Sequence, residues 1–268
     1  MRRAVKNLVS VYDMYPQRSF KEKVINFHGG CKGPDMQAIR ILGSLIGVSQ
    51  IENFKSINEE LIPIIETEVC PSESRNKYYE THKTGYSFTS DKAGPLLDGG
   101  FDSFEALYGD QLQHNKKFDK FFNSLEKDLD IFLRGLKYKD VNYFITKSWV
   151  AYTEKGEHIA AHDHGASHFS FVYYVLLNKK HSPLTFYEPT QRFYMPDATE
   201  WNEQNHQNVT INNEPGQLII FPSWLKHGTK KTEENSPRIS ISGDIIMTAE
   251  LNKVSEILIP NPKTWRAI

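Results

Sequence analysis

A succession of short strand-like segments between Val141 and Met247 constrains the fold of this chain more than any other feature of its sequence. Each segment is rich in β-branched and aromatic residues, and turn-forming residues such as Lys155-Gly156 separate one segment from the next. The seven segments are Val141–Tyr152, His158–His162, His168–Leu177, Leu184–Tyr187, Asn208–Ile211, Gln217–Phe221 and Arg238–Met247. Seven strands at this close spacing predict an antiparallel sandwich or barrel.

The residues before Val141 predict mainly helices, after a strand-like start at Val9–Tyr15. Apolar residues recur at helical spacing over Asp35–Ile46 and, most clearly, over Lys117–Leu136. Such a stripe is typical of a helix that packs one face on a core. We therefore expect the N-terminal helices to pack on one sheet of the β core.

A third helix is predicted to open at Ser56, because Ser56 and Glu59 have the spacing of a capping box. Pro63 lies inside its pattern and should kink or shorten it, since proline lacks the backbone N–H that the helix needs. Thr84–Gly109 is rich in Gly, Ser and Asp and predicts a loop, which we expect to act as a lid over a site.

The chain has 268 residues, a length that a single mainly β domain often reaches. We expect one domain, with a mixed α/β region at 1–140, a β core at 141–247 and a C-terminal tail at 248–268. Hydrophobic residues make up 39% of the chain and charged residues 24%, which excludes a disordered or collagen-like protein.

The charge balance and the cysteine count exclude several classes of protein. Lys and Arg total 32 against 33 Asp and Glu, so the sequence has neither the basic footprint of a nucleic-acid-binding protein nor a polybasic membrane patch. Cys31 and Cys70 are too few for a disulfide scaffold, which favours a reducing compartment. The N-terminus lacks the apolar stretch of a signal peptide. We expect a cytoplasmic protein that acts on a small molecule or a peptide, in an oligomeric state that the sequence leaves open.

Three of the ten histidines form a candidate metal site. His162 and His164 are two residues apart, so on a strand both imidazoles point to the same face. His227 is well separated in sequence and supplies a third imidazole from another element. Imidazole binds iron, zinc, copper and nickel alike, so the ligands alone do not choose the metal. The alternative is that these are ordinary surface or hydrogen-bonded histidines.

A candidate anchor for a carboxylate follows the third histidine. In Arg238–Ser242, alternation places Arg238, Ser240 and Ser242 on one face of a strand, with the intervening isoleucines on the other. A hairpin turning at Lys230–Pro237 would set Arg238 opposite His227, with their Cβ atoms about 5 Å apart. A guanidinium can bind a carboxylate through two parallel hydrogen bonds. The alternative is that this face is simply solvated.

In this order and spacing, the motifs resemble those of the Fe(II)/2-oxoglutarate-dependent oxygenases, and within them the 2OG-Fe(II) oxygenases found in bacteria and phages. The matching stretches lie within Ser148–Ser242 and include HDHGASHFSFVYYV, LTFYEP, and PGQLIIFPSWLKHG followed by RISIS. The resemblance implies a mainly β fold, with a double-stranded β-helix (jelly-roll or cupin-like) core and flanking helices. It also implies that Fe(II), 2-oxoglutarate and O2 are the cofactor, cosubstrate and oxidant of a dioxygenase, one that hydroxylates its substrate and releases succinate and CO2.

The resemblance also assigns roles to individual residues. His162 is the first iron ligand and His227 the distal one, while Arg238 and Ser240 anchor the far carboxylate of 2-oxoglutarate. Tyr174 adds a hydrogen bond to this cosubstrate. The family's usual third ligand is a carboxylate two residues after the first histidine, but this sequence has His164 there. A neutral imidazole in this place leaves the metal site one charge unit more positive.

Three arrangements of the third ligand remain open. His164 can itself be the ligand, which we favour; water can fill the position; or Asp163 can turn inward at a bulge. Two other functions also remain. One is a three-histidine cupin enzyme that needs no 2-oxoglutarate, and the other is a non-enzymatic module in which His158 or His168 completes a closed zinc site.

Overall fold

The fold was analysed in a computed structural model of the chain, in which residues 8–10, 44–72, 86–87, 111–187, 208–253 and 256–266 are described. Over these residues the protein is mainly β, with ten strands and two α-helices. The strands are β1 Leu8–Ser10, β2 Leu45–Gln50, β3 Tyr86–Ser87, β4 Val141–Thr153, β5 Phe169–Leu176, β6 Leu184–Tyr187, β7 Asn208–Ile211, β8 Gln217–Pro222, β9 His227–Gly228 and β10 Arg238–Ala249. The α-helices are α1 Phe54–Ile64 and α2 Asp119–Gly135.

The strands form two antiparallel sheets. The larger sheet has the order β1-β2-β8-β5-β10-β4-β3, and the smaller one has the order β7-β6-β9. An isolated antiparallel bridge between His162 and His227 adds a further short rung beyond β9. With this rung, the core consists of two four-membered layers, β8-β5-β10-β4 and β7-β6-β9-His162. This arrangement is the double-stranded β-helix, or jelly roll, that the sequence predicted.

The two faces of the larger sheet pack against different partners. On β5, Phe171 and Tyr173 belong to the core shared with the two α-helices, whereas Val172 and Tyr174 belong to the core between the sheets. Strand alternation produces this division, because successive side chains point to opposite faces. Helix α2 contributes a buried apolar stripe to the first core: Phe121, Phe122, Leu125, Leu129, Phe132 and Leu133. The expected packing of the N-terminal helices on one sheet is therefore confirmed.

The predicted helix at Lys117–Leu136 is confirmed as α2, but the predicted start of α1 is wrong. Helix α1 begins at Phe54, two residues before Ser56, and its N-cap is Asn53 in a left-handed conformation. Ser56 therefore lies inside the helix, where the capping-box spacing has no capping role. The α-helix ends at Ile64, directly after Pro63, and continues as a π-helix over Ile65–Val69.

Three further expectations for local structure are wrong where the structure describes the residues. Leu45 and Ile46, expected at the end of a helix, lie in β2, where pairing with β8 outweighs their helical spacing. Tyr86–Ser87, expected in the lid loop, pairs with β4. The segment His158–His162 is an irregular connection whose one β pairing is the His162 bridge. The rest of Asp35–Ile46 and of the lid at Thr84–Gly109 lies outside the described residues.

The expected hairpin between His227 and Arg238 is also wrong. His227 lies in β9 of the smaller sheet, where Gly228 and His227 pair with β6. Arg238 begins β10 of the larger sheet and pairs with Thr153 of β4. The residues between them cross from one sheet to the other, so the two side chains approach across the space between the sheets rather than along one sheet. Within the described part of the chain, no helix is long and apolar enough to cross a membrane.

Candidate active site

The three histidines expected from the sequence lie together at one end of the space between the sheets. His162, His164 and His227 each offer a nitrogen, and these ligand atoms all lie within 4.8 Å of one another. The backbone holds the cluster in place: His162 and His227 exchange two N–H···O hydrogen bonds of 2.9 and 2.8 Å. The backbone N–H of His164 donates to the carbonyl of Ser223 at 2.9 Å. Backbone hydrogen bonds thereby join the two segments that carry the histidines.

Each imidazole uses its Nδ1 for a hydrogen bond within the protein. In His162 the acceptor is the Ala160 carbonyl at 2.8 Å, and in His227 it is the Leu225 carbonyl at 2.9 Å. In His164, Nδ1 lies 2.8 Å from a carboxylate oxygen of Asp244. A histidine whose Nδ1–H is held by an oxygen acceptor presents an unprotonated Nε2, which is the tautomer that binds a metal.

Burial keeps two of these imidazoles in the neutral form that metal binding requires. His227 is 4% exposed, and removal from water lowers its pKa to about 3. Burial also lowers the pKa of His162 below its usual value. Both shifts have desolvation as their largest cause, because a buried imidazolium loses its hydration.

The other candidate ligands lie elsewhere. Asp163 is exposed and is not among the grouped ligand atoms, as expected from an alternation that turns it away from its two histidine neighbours. His158 and His168 are also outside the cluster, and His168 accepts a hydrogen bond from the backbone N–H of Met247 at 3.1 Å. Among the described residues, the cluster is therefore a set of three imidazoles without a fourth protein ligand.

Arg238 is buried across the cavity from the histidines, with 4% of its surface exposed. Its guanidinium donates to the hydroxyls of Thr153 and Thr229, both at 3.3 Å, and to the Ser182 carbonyl at 3.4 Å. Its Nε has no hydrogen-bond partner, and no described carboxylate forms an ion pair with it. Burial lowers the pKa of Arg238 below its usual value, as expected for a cation that has lost water without gaining an anion. The solvated alternative for this strand face is therefore wrong.

Ser240 and Tyr174 lie beside Arg238, on the face that alternation predicted. Both line the same cavity, and the two residues are paired in register between β10 and β5. Tyr174 is fully buried, which raises its pKa. When the Asn213 amide is oriented to satisfy its neighbours, its oxygen accepts a hydrogen bond from the Tyr174 hydroxyl at 3.0 Å. A cosubstrate contact from Tyr174 would therefore require its one hydroxyl proton to turn away from Asn213.

The cavity between the sheets connects the histidines with the arginine. Its volume is about 390 Å³, within the range of pockets that bind small molecules. Its walls combine the polar groups above with apolar side chains from both sheets, including Val172, Leu184 and Phe221. Trp149 stacks on the His164 ring, with ring centroids 5.4 Å apart and planes inclined by 21°. One continuous pocket thus reaches a potential metal site at one end and an unpaired buried cation at the other.

Asp244 is a charged residue beside the histidines that the sequence analysis did not identify. It follows Ser242 by two residues, so the alternation that aligned Arg238, Ser240 and Ser242 also places Asp244 on the cavity face. Extending the pattern by one step would have found it. Its side chain is 10% exposed and also accepts a hydrogen bond from the Ser170 hydroxyl at 2.8 Å.

The structure is similar to several solved structures at low sequence identity. A 2OG-Fe(II) oxygenase family oxidoreductase from Burkholderia pseudomallei is 15% identical, with 45% of this chain and 57% of that one covered and a TM-score of 0.33. A prolyl-4-hydroxylase from Pseudomonas putida is 13% identical, with 49% and 66% covered and a TM-score of 0.35. The chain thus spans less than two thirds of either protein. HygX from Streptomyces hygroscopicus, solved with nickel and 2-oxoglutarate bound, is 10% identical, with 75% and 81% covered and a TM-score of 0.42.

A sequence comparison matches part of the chain to a family. No curated protein matches the chain. Residues 147–244 match the model of a family described as "Putative 2OG-Fe(II) oxygenase". A family named for Fe(II) and 2-oxoglutarate agrees with the cofactors that the sequence motifs implied. The segment that carries the three histidines and Arg238 therefore matches the 2OG-Fe(II) oxygenase family, and the resemblance inferred from the motifs is confirmed over these residues.

Proposed function

We propose that the protein is an Fe(II)- and 2-oxoglutarate-dependent dioxygenase that hydroxylates a small molecule or a peptide side chain. One observation carries the proposal: three imidazoles converge at one end of a cavity whose other end holds a buried arginine without a described anionic partner. A metal would bind the imidazoles, and one carboxylate of a dicarboxylate would pair with the arginine.

The histidine cluster fits Fe(II) in its donor type and its protonation. His162, His164 and His227 would hold the ion through Nε2, since their Nδ1 atoms are hydrogen-bonded within the protein. Three protein ligands are also the number found in non-haem iron oxygenases, whose remaining positions stay open for cosubstrate and oxygen. A structural zinc site would need a fourth ligand, which the described residues do not provide at this point.

The opposite end of the cavity fits a carboxylate. Arg238 has three long hydrogen bonds and an unpartnered Nε, so its charge is poorly compensated by the protein itself. A carboxylate in front of this guanidinium would supply the missing negative charge and stronger, charge-assisted hydrogen bonds. The hydroxyl of Ser240, which lines the same cavity, is available to a ligand at this end.

The chain's own contribution to the reaction is placement and exclusion of water. Arg238 fixes the orientation of the cosubstrate, and the histidines fix the position of its reacting end. The apolar walls formed by Val172 and Phe221 limit the water around the reacting groups. When bound, the iron supplies the oxygen chemistry, in which one oxygen atom of O2 enters succinate, formed from 2-oxoglutarate with loss of CO2, and the other enters a C–H bond of the substrate.

A three-histidine cupin enzyme without a cosubstrate would have the same metal ligands. It would have no use for an uncompensated arginine on the opposite wall, because burying a cation costs several kcal/mol. The burial of Arg238 therefore favours the 2-oxoglutarate-dependent enzyme.

Formation of succinate tests the proposal without knowledge of the substrate, because an enzyme that binds Fe(II) and 2-oxoglutarate in one cavity can oxidise the cosubstrate slowly with no substrate bound. We expect succinate to form from 2-oxoglutarate only when Fe(II) and O2 are both present. The variant His227→Ala, which removes a buried ligand, should reduce this rate to the background of free iron. Oxygen consumption that is independent of 2-oxoglutarate would instead identify the cupin enzyme, and an equal succinate rate in His227→Ala would contradict the proposal.

A further inference from the structure

We infer that Asp244 is a positioning residue that supplies negative charge to the metal site through His164. The inference rests on the proposed function, because it assumes that the histidine cluster binds a metal. It concerns the Asp244 carboxylate, which belongs neither to the motif pattern nor to the family's usual ligands.

The three imidazoles are held by acceptors of different charge. His162 and His227 each donate to a neutral backbone carbonyl two residues earlier in the chain, Ala160 and Leu225. His164 alone donates to a carboxylate, that of Asp244, at 2.8 Å. An anionic acceptor draws the Nδ1 proton more strongly than a carbonyl does, so it makes Nε2 of His164 a more basic ligand. Among the three imidazoles, His164 is therefore the one that can acquire partial negative charge from a hydrogen-bonded carboxylate.

Asp244 is held in place by its own partners. The Ser170 hydroxyl donates to the same carboxylate oxygen at 2.8 Å, and the Ser223 hydroxyl lies 2.9 Å from that of Ser170. Asp244 lies in β10, between β4 and β5, where it pairs with Ser170 and with a residue of β4. The ladder between β10 and β4 shifts register directly after it. The backbone of a central strand and two serines thus fix the carboxylate behind His164.

This placement accounts for the departure from the usual ligand set. A carboxylate ligand supplies one negative charge directly to the metal, whereas a histidine supplies none. In this protein the negative charge belongs to Asp244, which would not bind the metal itself but is hydrogen-bonded to the ligand His164. The site therefore retains the net charge of a two-histidine, one-carboxylate site while presenting three nitrogen ligands.

Cobalt(II) binding under anaerobic conditions tests the inference, because Co(II) substitutes for Fe(II) and reports its ligands through visible absorption. Asp244→Asn preserves the shape of the side chain and removes its charge. We expect this variant to bind Co(II) about 10- to 100-fold more weakly than the wild type. The matched control is Asp163→Asn, the same change at an exposed carboxylate next to His162 and His164, and its affinity should stay within about threefold of the wild type.

A double-mutant cycle separates positioning from a general structural effect. In a His164→Ala background the carboxylate has lost its route to the metal, so Asp244→Asn should change the Co(II) affinity by less than about threefold. An equal loss in both backgrounds would overturn the inference, as would an Asp244→Asn variant with wild-type affinity. Failure of the proposed function has a different signature: His227→Ala would then bind Co(II) as well as the wild type does.

A second readout needs no variant at Asp244 and covers the case in which Asp244→Asn does not fold. In the wild-type protein loaded with diamagnetic Zn(II) and labelled with ¹⁵N-histidine, the three Nδ1–H protons are observable by NMR. The proton of His164 should resonate at lower field than those of His162 and His227, because its acceptor is a carboxylate. A His164 Nδ1–H chemical shift equal to or smaller than those of His162 and His227 would overturn the inference.

Discussion

Replacement of Arg238 by methionine should weaken 2-oxoglutarate binding and at the same time stabilise the ligand-free protein. In the proposed function the two effects have one cause: the buried guanidinium has no described carboxylate partner, so its burial costs free energy of folding and leaves it available to a ligand. Methionine has a similar length and fills the space without a charge. Few substitutions separate a functional from a structural role so clearly.

The magnitude follows from the contacts of Arg238. Its three hydrogen bonds, at 3.3, 3.3 and 3.4 Å, are longer than the usual 2.7–3.2 Å range, so together they contribute at most about 1.5 kcal/mol. Desolvation of a buried charge costs several kcal/mol. We therefore expect Arg238→Met to raise the free energy of unfolding of the ligand-free protein by about 1–4 kcal/mol.

The ligand effect has the opposite sign. Removal of a buried charge that pairs with a ligand costs about 2–5 kcal/mol, or roughly 30-fold or more in affinity. Urea denaturation with and without 2-oxoglutarate, in the presence of a non-oxidisable metal, measures both effects. At a concentration about 100 times its dissociation constant from the wild type, the ligand should stabilise the wild type by about 2.7 kcal/mol and Arg238→Met by less than about 0.9 kcal/mol.

Arg134→Met is the matched control, since Arg134 is 77% exposed and its ion pair with Asp130 lies on the surface of α2. This change should alter stability by less than about 0.5 kcal/mol. The reasoning is refuted if Arg238→Met destabilises the ligand-free protein by more than about 1 kcal/mol. It is also refuted if 2-oxoglutarate stabilises the variant as much as the wild type.

Three further predictions concern the scaffold of the site. Asn58 in α1 accepts a hydrogen bond from the buried Tyr173 hydroxyl at 2.6 Å. Asn58→Ala should therefore lower the free energy of unfolding by about 1–3 kcal/mol. A smaller loss in the Tyr173→Phe background would show that the two side chains stabilise the fold together. Burial lowers the pKa of His168 in the folded protein. As the pH falls below about 6.5, this histidine is therefore protonated in the unfolded chain before it is protonated in the folded protein. The free energy of unfolding should decrease with falling pH in this range, and it should decrease less steeply in His168→Asn. A Cβ at Gly228 would lie 2.9 Å from a backbone oxygen, whereas a Cβ at Gly165 would meet nothing closer than 3.8 Å. Gly228→Ala should therefore weaken Co(II) binding, and Gly165→Ala should not. Equal Co(II) affinities of the two variants would contradict the packing argument.

Strand content was predictable because the chain repeats a local signal. Alternation and turn residues mark the segments that became β4 to β8 and β10, and Leu184–Tyr187 and Asn208–Ile211 coincide with β6 and β7. The same alternation correctly placed Arg238 and Ser240 on the face toward the cavity.

The sequence did not show which sheet each strand joins. The turn between His227 and Arg238 has the composition of a hairpin, yet the chain passes there from the smaller sheet to the larger one. Strand pairing depends on the whole topology, which a local turn signal does not contain. The H-x-H pair shows the same limit: the two histidines converge from an irregular segment with a single β bridge rather than on a regular strand.

The central claim is that Fe(II) at the histidine cluster and 2-oxoglutarate at Arg238 occupy one cavity. The most direct measurement is the visible absorption spectrum of the protein with Fe(II) and 2-oxoglutarate under anaerobic conditions. The account predicts a metal-to-ligand charge-transfer band that requires both additions and is lost in His227→Ala and in Arg238→Met at the same ligand concentration. A spectrum without such a band, or a band that persists in both variants, would contradict it.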